Sequence, residues 1–96
     1  MTEFKEKPIN LVKIVTEELA PSVMRKLDLE ITDDNYEDVL ALALNSLPAK
    51  YVATARGKQY AELIEVYRLQ YETDVIAALT RAVIKVRDNP RSVDFD

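Results

Sequence analysis

The chain has 96 residues, 48% apolar and 31% charged, enough for one domain with a thin core. It holds no Cys and no His, which excludes disulfides, thiolate catalysis, a Cys or His zinc site and a Ser-His-Asp triad. The net charge of −4 works against binding of nucleic-acid polymers, and one Gly with four Pro is too little turn material for a many-stranded sandwich or barrel.

Pro8 and Asn10 open a first helix, with Asn10 as its N-cap. Leu11, Val12, Ile14, Val15, Leu19, Val23, Met24 and Leu27 recur at steps near three and four and make one apolar stripe. Pro21 lies inside it, removing a backbone donor, so a kink near Glu17 to Ala20 or a break into two shorter helices is expected. The polar run DLEITDDN (28–35) is a connection. In the second helix Asp33 and Asn35 compete as N-cap, and Glu37 and Asp38 in its first turn suit the positive helix end. Tyr36, Val39, Leu40, Leu42, Ala43, Leu44 and Leu47 make it apolar almost all round, which predicts burial on most sides before Pro48 ends it.

Residues 48–56 (PAKYVATAR) form the least helical stretch, with Tyr51, Val52 and Thr54 favouring extended backbone. From Lys58 to Asp88 there is neither Pro nor Gly. Tyr60, Ile64, Tyr67, Tyr71, Val75, Leu79, Ala82 and Val86 make one helical row, and Leu63, Val66, Ile76 and Val83 a second. At 1.5 Å per residue this helix reaches about 45 Å, longer than the ~26 Å diameter of a compact domain this size. It therefore either breaks near Gln70 to Asp74 (QYETD) or overhangs and packs against a partner. Asn89-Pro90 stops it. The reading is a single all-α domain over 1–96, with flexible ends at 1–8 and 92–96 and a short extended segment near 50–56. The N-terminus MTEFKEKPIN is charged and has no apolar h-region, and no apolar run is long enough for a bilayer, so a cytoplasmic location away from membranes is expected.

Charge placement points to one site. Met1 to Asp38 hold ten acids and five bases, and Glu62 to Asp96 seven acids and five bases. Val39 to Ala61 between them hold no acid and three bases, Lys50, Arg56 and Lys58. A phosphate would find use for two lysines, the Arg56 fork, the Thr54 hydroxyl, the Tyr51 ring and Gly57 leading into a helix N-terminus. The plain alternative is a basic loop whose lysines are solvated. One Gly without a GK[ST] step is no P-loop. Asp33, Asp34 and Asp38 could form a hard-metal site, but capping and pairing with the helix dipole explain them better. Tyr60, Tyr67 and Tyr71 fall on the helical stripe and read as core or subunit packing, which leaves Tyr51 as the stacking candidate. Arg81, Lys85, Arg87 and Arg91 suit the negative end of the long helix. No acid pair has a spacing tied to acid–base chemistry, so an enzyme is not expected.

Asp38, the run Ala41-Leu42-Ala43-Leu44-Asn45, the Leu47-Pro48 step and Lys50-Tyr51-Val52 follow in order, with Thr54, Gly57, Tyr60, Asp74, Ala82 and Asn89-Pro90-Arg91 after them. This ordered set resembles the late-competence ComFB family. The resemblance implies a small, mostly helical homodimer. Cyanobacterial-type members are receptors for cyclic dinucleotides, chiefly cyclic di-GMP, linked to cell size, natural competence and motility. The founding branch carries a zinc-binding cysteine cluster ahead of the ALALN helix. Residues 31–38 hold no cysteine here, so no zinc and no other cofactor is expected.

The resemblance turns the basic window into a ligand-binding expectation. Lys50, Arg56 and Lys58 would meet phosphates, Tyr51 a base, and Thr54 with the Gly57 amide a phosphate oxygen. Arg56 could instead read guanine, and Arg91 could close the pocket. The expected protein is a cyclic di-GMP receptor that signals through a protein partner. The alternative is a dimeric interaction or scaffold protein in competence or motility regulation that binds no nucleotide, and a phosphodiesterase is a third possibility.

Overall fold

The computed structural model describes residues 8–53 and 57–89. In chain order they form β1 (Ile9–Asn10), α1 (Leu11–Lys26), α2 (Asp33–Asn45), β2 (Tyr51–Val52) and α3 (Gly57–Asp88). The all-α expectation holds, with one small antiparallel pairing in which Ile9 faces Val52 and Asn10 faces Tyr51. The flexible ends expected at 1–8 and 92–96 fall, Pro8 apart, outside the described residues.

Asn10 caps α1 as its side chain suggests, its Oδ1 accepting from the Val12 amide at 3.1 Å. The stripe turns Leu11, Val12, Val15, Val23 and Met24 inward and leaves Leu19 and Leu27 half-buried. Pro21 does not split the helix, which runs unbroken from Leu11 to Lys26. A proline at position 21 cannot donate to the carbonyl of Glu17, four residues back. That carbonyl accepts instead from the Tyr36 hydroxyl of α2 at 3.3 Å. The helix ends in a Schellman turn: the Leu29 amide donates to the Met24 carbonyl at 2.9 Å and the Asp28 amide to the Arg25 carbonyl at 3.2 Å. Asp28 holds the left-handed position, φ 60°, that glycine usually takes.

Two expectations for α2 need correction. Its N-cap is Thr32, neither Asp33 nor Asn35: Thr32 is extended, and its Oγ1 accepts from the Asn35 amide at 3.1 Å. Asp33 and Asp34 thus occupy the first turn, where carboxylates meet the helix dipole. The helix is also less enclosed than its apolarity suggests. Only Val39 and Ala43 are fully buried, while Leu40, Leu42 and Leu44 are half-buried. Packed against α1 and α3, α2 keeps one side open. It ends at Asn45, ahead of Pro48, with the Ser46 hydroxyl donating to the Ala43 carbonyl at 2.9 Å.

The long helix does not break near 70–74. It continues for 32 residues, about 48 Å at the standard rise, and spans the longest of the molecule's dimensions, 49 × 30 × 21 Å. The QYETD stretch contains no residue that stops a helix, and Tyr67, Val75, Leu79 and Val86 keep one stripe on the core across it. A spherical estimate of diameter fails because the molecule is elongated. The second half of α3 closes the core with Met24, Val15, Val39, Val75, Leu79 and Val83, all fully buried. Each such side chain contributes about 1.5–3 kcal/mol relative to exposure. Among the described residues no helix is long and apolar enough to cross a membrane.

Candidate ligand-binding site

The basic segment is anchored by Asn10. The same Oδ1 that caps α1 also accepts from the Lys50 amide at 3.2 Å, and the Lys50 carbonyl accepts from the Leu11 amide at 2.9 Å. One side chain thus joins the start of α1 to the start of β2, forty residues later. The pairing then sets the direction of the side chains, since neighbours in a strand alternate. Val52 is half-buried and packs on the core, while Tyr51 turns outward with 64% of its surface exposed. Lys50 is exposed beside it. The first two amides of α1 are therefore engaged. The first turn of α3, with its partial positive charge, begins five residues past Val52.

Beside Lys50 lies a pocket of about 240 Å³. Leu47, Pro48, Ala49 and Lys50 form one wall, and Tyr67, Tyr71 and Asp74 of α3 the other. Tyr67 and Tyr71 are stacked, with ring centroids 4.6 Å apart and planes at 30°. Tyr67 is buried, whereas Tyr71 keeps 37% of its surface exposed. Burial, then the neighbouring Tyr71 and then Asp74, push the Tyr67 hydroxyl above its usual pKa. Nearby, Arg68 fixes α3 to α1 by an ion pair with Glu18 at 2.6 Å.

Of the residues expected to bind a ligand, Lys50 and Tyr51 lie together on the exposed edge of the pairing. Gly57 and Lys58 open α3. Thr54, Arg56 and Arg91 lie outside the described residues. The basic window is free of acids in sequence only, because α3 brings Asp74 to the same pocket. Tyr67, Tyr71 and Asp74 line the pocket but are not among the binding residues expected from the sequence. Tyr67 is core, as its place on the stripe suggests, but Tyr71 shares that stripe and still reaches the pocket. The signal available was Asp74 three residues after Tyr71, which puts a carboxylate on the same helix face as the ring. Asp33 and Asp34 sit in the capped first turn of α2, and among the described residues no three acids gather closely enough to hold a metal ion. Arg87 leaves the basic group at the end of α3 and donates through Nη1 to the Leu27 carbonyl at 3.0 Å.

A family model described as late competence development protein ComFB matches residues 9–90. The chain belongs to the ComFB family. No curated protein and no solved structure matches it. The ComFB match begins at β1 and runs just past α3, so it takes in every element described and the whole pocket. Within the ComFB domain, Asp38 to Asn45 form most of α2, and Lys50-Tyr51-Val52 is the segment anchored on Asn10.

Proposed function

We propose that this protein is a receptor for cyclic di-GMP that signals through a protein partner, is not an enzyme and uses no metal or other cofactor. The observation that carries the reading is the pairing of Lys50 and Tyr51. An exposed cation that lines a pocket with an aromatic wall, and the exposed ring next to it in sequence, are held on Asn10 in the longest acid-free stretch of an acidic chain. A doubly anionic nucleotide offers phosphates for the first and bases for the second. In this reading Arg56 and Lys58 add positive charge, and Thr54 with the Gly57 amide fixes a phosphate oxygen. Arg91 closes the site.

Calorimetry with cyclic di-GMP tests it. Submicromolar binding is expected, and Lys50→Ala or Arg56→Ala should weaken it by about 1–3 kcal/mol, the scale of a charged hydrogen bond. No heat at high protein concentration would remove the receptor reading. Dinucleotide recovered cleaved after incubation with protein and magnesium would make the protein a phosphodiesterase.

A second reading, a dimeric interaction protein that binds no nucleotide, has one observation of its own. The outer face of α3 carries Val66, 58% exposed, and Leu69, 73% exposed, with Thr73, Ile76, Ala77 and Thr80 continuing the same face. This uncharged band suits a second copy of the chain. Homodimerisation belongs to both readings, and calorimetry separates them.

A further inference from the structure

We infer that Asp74 reads the edge of the base in the pocket and gives the site a preference for guanine over adenine; the inference rests on the cyclic-dinucleotide reading above. The pocket, at about 240 Å³, is smaller than the ~300–1,000 Å³ of sites that enclose a whole drug-sized ligand. It therefore takes one ring system, with the phosphates left at its mouth. Lys50 stands at that mouth. Tyr71, backed by Tyr67, offers a ring face on which a base stacks. The stack beneath stiffens that platform, because Tyr67 is itself held in the core.

Neither charged group of the pocket is paired with another described residue. Lys50 and Asp74 line it together, yet they make no ion pair with each other, and neither side chain has a hydrogen-bond or ion-pair partner among the described residues. A carboxylate only accepts hydrogen bonds. Guanine presents two adjacent donors on its Watson–Crick edge, N1–H and the exocyclic N2–H₂, which match two carboxylate oxygens. Adenine presents the N1 lone pair at the corresponding position, which a carboxylate repels. Asp74 lies three residues beyond Tyr71 and so projects beside the ring that would carry the base. A cation for phosphate, a ring for the base plane and a carboxylate for the base edge thus come together in one place.

The test is the affinity of the full chain for cyclic di-GMP and for cyclic di-AMP, in the wild type and in Asp74→Ala, Asp74→Asn and Lys50→Ala. The wild type should favour cyclic di-GMP, and Asp74→Ala should lower that affinity about 10–100-fold, the loss expected for a charged hydrogen-bonding partner. Cyclic di-AMP should bind the same variant no more weakly than the wild type. Asp74→Asn should fall between, since an amide supplies one acceptor oxygen, and Lys50→Ala should weaken both ligands. An unchanged preference in Asp74→Ala, or equal weakening of both ligands, would overturn the base-reading role and leave the receptor intact. A wild type that binds neither dinucleotide would remove the receptor reading, and this role with it. Circular dichroism of the variants separates lost binding from lost fold.

Discussion

Tyr36 and Tyr67 each hold a phenol where its anion is disfavoured. Burial raises the pKa of both; Glu17 adds to it at Tyr36, and Tyr71 and Asp74 at Tyr67. The folded state therefore keeps these protons more tightly than the unfolded chain, whose tyrosines titrate near the ordinary value of 10.0. The stabilisation is complete below about pH 10 and is lost as pH rises through the folded values. Urea midpoints should be level between pH 7 and 9 and fall by pH 11, where lysines also titrate. Tyr36→Phe or Tyr67→Phe should each make that fall shallower, and an unaltered fall would place its origin elsewhere. At this scale the sequence was a partial guide. Asn10 announced itself as a cap because its side chain acts within two residues. Its second bond, to the Lys50 amide, depends on a segment forty residues away and leaves no local pattern. The same holds for Thr32, which wins the cap of α2 over Asp33 by one position.

Helices α1 and α3 could be read from their periodicity because each buries a single stripe over many turns. The tiny strand pair could be read only in half. Tyr51 and Val52 favour extended backbone on their own, but Ile9 becomes β1 only because Asn10 brings the two segments together. The apolarity of α2 overstates its burial because apolar residues on several faces do not say how many neighbours arrive. The turn after α1 offers a prediction at this scale. Asp28 sits at φ 60° in a Schellman turn, a position that costs a residue with a Cβ roughly 1 kcal/mol. Asp28→Gly removes that cost and gains some freedom in the unfolded chain, for a net stabilisation of about 0.5–1 kcal/mol. Thermal unfolding should rise by roughly 2–6 °C. A fall would mean that the carboxylate does more at this turn than the backbone geometry requires.

The whole molecule takes its shape from α3. A 32-residue helix sets the 49 Å axis, and the two shorter helices pack along it. From Gln59 to Val66 no residue is fully buried, whereas six are from Val75 to Val86. The second half of the helix is therefore in the core, and the stretch before Tyr67 is more exposed, with Ile64 half-buried against the core. The outer band through Val66, Leu69 and Thr73 starts on the side of the helix turned away from Ile64 and Tyr67. If this band joins two copies, light scattering should give about twice the chain mass of 11.0 kDa. Leu69→Glu, a change at a residue 73% exposed, should return it to one chain while leaving the helical signal and the unfolding midpoint of the monomer intact. A wild type already at 11.0 kDa would leave the band without this role. The sequence could pose the choice between a broken and an overhanging helix. Only the placement of α1 and α2 along α3 decided it.

The contact between Tyr36 and the Glu17 carbonyl links two positions that look unrelated in sequence. A phenol from a neighbouring helix replaces the peptide donor that Pro21 withholds. Pro21→Ala would restore that donor and make the phenol redundant, so it should act as a suppressor of Tyr36→Phe. In a double-mutant cycle, Tyr36→Phe should cost about 1 kcal/mol beside proline and distinctly less beside alanine. Strict additivity would show that the proline and the tyrosine are independent.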